Sequence, residues 1–214
     1  MSNSDSFIDE VTDEVRRDKL FATMRKWAWL AVVLVLALVG GAAWTEYQKA
    51  QTRAGTEGFG DALYAALEAP DAAARVAALQ AITPPEGGAP VVALLIAAET
   101  EDAAAATAAL QALADAPGTP PVYRDLAQLR LALRTDSGLS AQARIDLLRG
   151  LTGETQPFRN IAREALALAL IETGETAEAT TILTDLVADA ATTPGQRQRA
   201  AQLMVALGGP TNEG

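Results

Sequence analysis

The sequence predicts an all-α protein made of a single transmembrane helix followed by a helical-repeat (α-solenoid) domain. Half of its 214 residues are apolar, and that half is dominated by alanine and leucine rather than by β-branched or aromatic residues, a bias that favours helices. One stretch, bounded by Lys26 and Glu46, carries no charge at all. Beyond it, turn signals such as Pro70-Asp71, Pro117-Gly118 and Pro194-Gly195 punctuate the chain, and nothing alternates with period two for long enough to demand a strand.

Residues 5–20, DSFIDEVTDEVRRDKL, place Phe7, Ile8, Val11 and Val15 at helical spacing, with acids early and bases late, the order the helix dipole prefers. They predict a short amphipathic helix within a cytoplasmic leader, residues 1–26. It either docks a cytoplasmic partner or lies against the lipid headgroups.

The uncharged run Trp27 to Trp44 would rise roughly 27 Å as a helix, close to the hydrocarbon thickness of about 30 Å. Trp27 and Trp29 at one end, and Trp44 and Tyr47 at the other, fall where amphipathic rings settle at the membrane interface. The span is therefore placed at 27–46. Orientation follows from Arg16, Arg17, Lys19, Arg25 and Lys26 before the span against Lys49 and Arg53 soon after it, which keeps the amino terminus in the cytoplasm. A cleavable signal peptide, with Gly41-Ala42-Ala43 as the cleavage site, is the rival reading; the acidic leader and the long apolar run with aromatic borders weigh against it.

After Trp44 no proline occurs until Pro70, so the helix is expected to run on as a stalk, 47–69, loosened at Gly55, Gly58 and Gly60. The repeat domain is placed at 70–208, with a tail at 209–214. Within it, Thr119-Pro120 recurs as Thr193-Pro194, and Ala127-Gln-Leu-Arg-Leu-Ala-Leu133 as Ala201-Gln-Leu-Met-Val-Ala-Leu207, both at an offset of 74. Ala106, Leu110 and Leu113 align with Ala179, Leu183 and Leu186 at an offset of 73, a difference that one extra loop residue reconciles. Residues 93–133 and 167–207 thus read as two copies of a three-helix unit, each opening its last helix with a threonine N-cap and a proline.

Composition narrows the function. Cysteine and histidine are both absent, which removes disulfides, thiolate chemistry, the commonest general base and the commonest metal ligand. No catalytic residue, metal site or cofactor is predicted. A net charge of −10 argues against nucleic acid as a partner. The acids Glu99, Glu101 and Asp102 cluster without the ordered oxygen ligands of a calcium loop. Eleven of the twelve bases past the span are arginines, which suit bidentate recognition of carboxylates. Arg124, Arg130 and Arg134 on one predicted helix, and Arg159 and Arg163 on another, are the candidate partner-binding residues; solvated or locally paired arginines, such as Arg130 and Arg134 with Asp136, are the bland alternative. Phe59, Tyr64, Tyr123 and Phe158 are expected in the core.

Residues 163–183 hold the most specific repeat signal. Gly174 should end one helix and Ala179 should let two helices cross closely. The motif Gly174-Glu-Thr-Ala-Glu-Ala179, with Ala167 before it, Leu183 and Leu186 after it and Pro194 closing the unit, resembles a tetratricopeptide repeat; in the earlier copy Glu101 stands where the glycine would be.

With the leader FIDEVTDEVRRDKL, the span ending Gly40-Gly41-Ala-Ala-Trp44, the helix Tyr123-Arg-Asp-Leu-Ala-Gln-Leu-Arg-Leu-Ala132 and the hairpin starting Phe158-Arg-Asn-Ile-Ala-Arg163, the whole chain resembles the bacterial membrane-anchored tetratricopeptide-like proteins typified by an ancillary subunit of the SecYEG translocon (the YfgM type), alphaproteobacterial members most closely. The resemblance implies a single-pass inner-membrane protein whose periplasmic repeat domain associates with SecYEG and with periplasmic chaperones. A repeat domain of this kind is also shared with a cell-division coordinator. A structural or regulatory scaffold for division or envelope assembly, forming a homo-oligomer through the span or the repeats, is therefore the alternative.

Overall fold

The computed structural model describes the backbone of residues 3–208; the side chains of residues 1–24, 27, 28, 31 and 209–214 lie outside the described residues. Among the described residues there are nine α-helices and no strand: α1 (Asn3–Leu67), α2 (Ala72–Gln80), α3 (Ala89–Glu99), α4 (Ala103–Asp115), α5 (Pro121–Leu133), α6 (Ala141–Gly150), α7 (Arg159–Thr173), α8 (Thr176–Ala188) and α9 (Pro194–Ala206). Two compact bodies divide the chain, Met1–Gly58 and Phe59–Gly214.

The described residues of the first body all belong to helix α1, which continues beyond it to Leu67. Leader, span and stalk, read from the sequence as separate segments, share this one helix, and Gly55, Gly58 and Gly60 do not loosen it. A glycine inside a helix costs about 1 kcal/mol relative to alanine, too little to interrupt so long a ladder, and nothing packs against these three positions to demand a break. Every described side chain from Val32 to Trp44 is exposed, so α1 is apolar on all its faces there. Among the described residues no helix is long and apolar enough to cross a membrane; the span read at 27–46 includes Trp27, Ala28 and Ala31, whose side chains lie outside them.

The second body begins at Phe59, ahead of the Pro70 boundary read from the sequence, because the last turns of α1 take part in it. Ala66 there is buried, and Phe59 comes so near Gly88 that a Cβ on that glycine would sit 3.2 Å from the ring. Tyr64 departs from expectation. It is 75% exposed, lying on the side of α1 away from Ala66.

Each later helix packs mainly on its neighbours in sequence, and α3 also reaches α5. This serial packing is what makes an α-solenoid quasi-one-dimensional. The core is accordingly two clusters. One joins Leu94 and Ala97 of α3, Leu110 and Leu113 of α4 and Ala127 and Leu131 of α5. The other joins Leu129 and Ala132 of α5 to Ile145 and Leu148 of α6, Leu166, Ala167 and Leu170 of α7, Ala179, Leu183 and Leu186 of α8 and Ala200 of α9. Helix α5 thus feeds both clusters from opposite faces. Phe158 packs on the second cluster and Tyr123 on the first, each half-buried.

The three-helix unit repeats as α3–α4–α5 and α7–α8–α9, but in a register different from the one read off the sequence. Helices α4 and α5 map onto α8 and α9 at a single offset of 73, with Ala103 on Thr176 and Pro121 on Pro194 as first residues. Ala106 and Ala179 are both fully buried, as are Ala127 and Ala200. The doubled proline Pro120-Pro121 is the reason. Its second member starts α5, so Pro120, without a side-chain cap, takes the N-cap place that Thr193 fills for α9. No extra loop residue separates the second helix from the third. The difference between copies lies one turn earlier. Gly174 ends α7 in the left-handed conformation, φ +85°, and its N–H and that of Glu175 bond to the carbonyls of Ile171 and Leu170. Between α3 and α4 the chain instead passes extended through Thr100, and the Asp102 carboxylate accepts the N–H of Ala105 as an N-cap.

Candidate functional site

Among the clefts that open on the repeat body, two share Ile161 of α7. The larger, of about 400 Å³, lies against α5, whose Leu126, Leu129, Arg130 and Leu133, with Arg134 just past its end, line it together with Ala97, Ala98, Leu110 and Ile161 from α3, α4 and α7. Its lining is apolar except for two cations, and it contains no acid. Leu133 and Ile161, 52% and 45% exposed, leave apolar surface open at its edge. The second cleft, about 340 Å³, is bounded by Glu154, Gln156, Pro157, Phe158, Arg159, Asn160, Ala191 and Gln196, and Ile161 lines it too. Asn160 Nδ2 donates to Thr192 Oγ1 at 3.2 Å, while its Oδ1 is buried with no partner.

The five arginines singled out in the sequence separate here. Arg159 and Arg163, one turn apart on α7, converge on Asp189 at the end of α8: Arg159 is ion-paired with it and Arg163 lies 3.7 Å away. The Asp189 carboxyl is held below the usual aspartate range by the hydrogen bond it accepts from the Ala191 N–H and by the charges of these two arginines, against the partial burial that opposes ionisation. These two residues are thus occupied inside the fold. Arg134 donates to Asp136 at 2.8 Å through one nitrogen, while its Nε is buried and unpartnered. Arg130 and Arg124 are exposed on α5, and neither has an ion pair among the described residues. Of the five, only Arg130 and Arg134 line the apolar cleft.

Arginine is abundant for a reason that composition alone did not expose: it ties helix to helix. Arg75 reaches Glu99 at 2.5 Å, Arg144 reaches Glu172 at 3.0 Å, Arg199 holds Glu164 through two nitrogens, and Arg149 holds both oxygens of Glu178 at 2.9 and 3.0 Å. The Arg149 guanidinium is pushed further up in pKa chiefly by that bond to Glu178, and Arg199 likewise by Glu164. Glu99 and Asp102 are thereby accounted for as an ion-pair partner and a helix cap, and no cluster of potential metal ligands occurs among the described residues.

Sequence reasoning missed Leu133, Ile161 and Asn160. The first two could have been found as apolar residues off the buried face of their helices, since Leu129 and Ala132 on α5, and Ala162 and Leu166 on α7, already supply that face. On α1, Trp29, Trp44 and Tyr47 are exposed; the rings of Trp44 and Tyr47 stand 6.5 Å apart, and Tyr47 Oη accepts from Gln51 Nε2. Arg25 and Lys26 are exposed, whereas Arg16, Arg17, Lys19 and Trp27 have side chains outside the described residues.

The tetratricopeptide repeat-like domain family matches residues 23–144. No curated protein and no solved structure matches the chain. The family match takes in more than half of the sequence, including the charge-free stretch of α1 and the helices α3 to α5 that build most of the apolar cleft. The chain belongs to the tetratricopeptide repeat-like domain family, whose repeat domains are typically non-catalytic modules for protein–protein interaction.

Proposed function

We propose that this protein is a non-catalytic, membrane-tethered interaction module: a single-pass protein of the bacterial inner membrane, amino terminus in the cytoplasm, repeat domain in the periplasm. There it serves as an ancillary subunit of SecYEG and links the translocon to periplasmic chaperones or emerging clients. The observation that carries the membrane reading is the charge-free stretch of α1, apolar in sequence on every face and exposed at each of its described side chains. A helix of that kind is at home only in a core or a bilayer. What supports the interaction reading is family membership and the open apolar cleft. The translocon reading rests on the likeness of leader, span and hairpin to the membrane-anchored group described above. Anchoring raises the local concentration of a binding domain at the membrane, so weak contacts suffice.

The test is co-purification of the tagged full chain in mild detergent. Translocon subunits enriched together with chaperones support the proposal. Enrichment of division or wall-synthesis proteins instead supports the scaffold alternative, and an eluate holding neither group contradicts both.

A further inference from the structure

We infer that the apolar cleft on α5 binds an extended polypeptide segment in which a large apolar side chain lies next to an aspartate or glutamate. This inference rests on the reading of the chain as an interaction module and names the chemistry that its binding surface selects. Charge complementarity decides the occupant. In a chain of net charge −10, the cleft wall carries Arg130 and Arg134 and no acid. Arg130 is exposed with no ion pair among the described residues, and Arg134 keeps a buried Nε–H without an acceptor although its other arm holds Asp136. The exposed Arg130 guanidinium offers free donors to a carboxylate entering the cleft. The apolar part of the ligand is set by Leu126, Leu129 and Leu133, with Ile161 opposite from α7.

Ile161, near the start of α7, also lines the second, more polar cleft. There one side-chain amide atom of Asn160 lacks a partner, and Arg159 Nε is likewise buried and unpartnered. A peptide backbone, which carries both an N–H and a C=O, matches the mixed polar lining of that cleft.

The experiment pans random octapeptides displayed on phage against the full chain in lipid nanodiscs, with empty nanodiscs as background. The expected result is enrichment of peptides holding Asp or Glu within a few residues of Leu, Ile, Met or Phe. Arg130→Glu and Leu133→Asp should each weaken the best of these peptides by roughly tenfold or more, whereas Arg124→Glu, on the same helix and outside the cleft, leaves them unchanged. Both cleft residues are exposed, so helical content by circular dichroism should match the parent in each variant. No enrichment over background, enrichment without acids, or indifference to Arg130→Glu overturns the inference. Co-purification run on the same variants separates the two claims. If Arg130→Glu and Leu133→Asp retain every partner of the parent protein, the cleft assignment falls and the interaction reading stands; if the parent itself retains none, the interaction reading falls.

Discussion

Arg159 and Asp189, thirty residues apart, form an ion pair that joins the first residue of α7 to the residue ending α8, and Arg163 stands 3.7 Å from the same carboxylate. The Asp189 carboxylate also takes the N–H of Ala191 at 2.8 Å, so one side chain organises a helix end, a turn and two arginines. Two arginines offered by the sequence as a binding face are therefore part of the scaffold.

The Asp189 carboxyl is depressed on folding, so its contribution is fully present above its ordinary value of 3.8 and is lost as pH falls through the lower, folded value. Thermal unfolding of the full chain followed from neutral pH down through that range should show a steeper acid loss in the parent than in Asp189→Asn, which starts lower. Parallel curves would remove Asp189 from the account.

Gly174 is left-handed at φ +85°, with open space where a Cβ would sit. Gly174→Ala should destabilise the repeat body by about 1–2 kcal/mol through backbone strain alone. Gly55→Ala, in the continuous helix α1 and equally uncrowded, should be neutral or stabilising by roughly 0.5–1 kcal/mol of helix propensity. Chemical denaturation monitored by circular dichroism distinguishes the two signs.

The register of the two repeat copies is open to a mutational check. Thr193 caps α9 in a reciprocal capping box with Gln196, so Thr193→Ala should cost about 1 kcal/mol. Its apparent counterpart by sequence identity, Thr119, caps nothing, and Thr119→Ala should leave the denaturation midpoint unchanged.

Ala179 and Leu183 are fully buried between α7 and α9. Leu183→Ala should cost about 2–5 kcal/mol, and Ala179→Leu about 1–3 kcal/mol because the helices already meet there without space. Denaturant midpoints of the two variants check the order of these effects.

Much of the architecture was legible in the sequence because helices depend on local signals. Gly174, Thr193 and Pro194 act within a few residues of themselves, and the spacing of Leu110, Leu113, Leu183 and Leu186 marks the buried face directly. The repeat register was misread by one residue because alanine and leucine recur so often that identity at one offset resembles burial at another; only the doubled proline at 120–121 shows which offset the helices obey. The site was less legible. Whether Arg159 meets Asp189 or solvent depends on how α7 and α8 cross, and no spacing within either helix encodes that. Leu133 and Ile161 come together at the cleft only once α5 and α7 are stacked through α6.

The proposed function requires the repeat domain to lie in the periplasm, and protease protection on spheroplasts with a tag at each terminus tests this most directly. External protease should remove the carboxy-terminal tag while the amino-terminal tag survives on a membrane-bound stub. A carboxy-terminal tag that resists protease in spheroplasts and is cut only after lysis would place the repeats in the cytoplasm and contradict the proposed function.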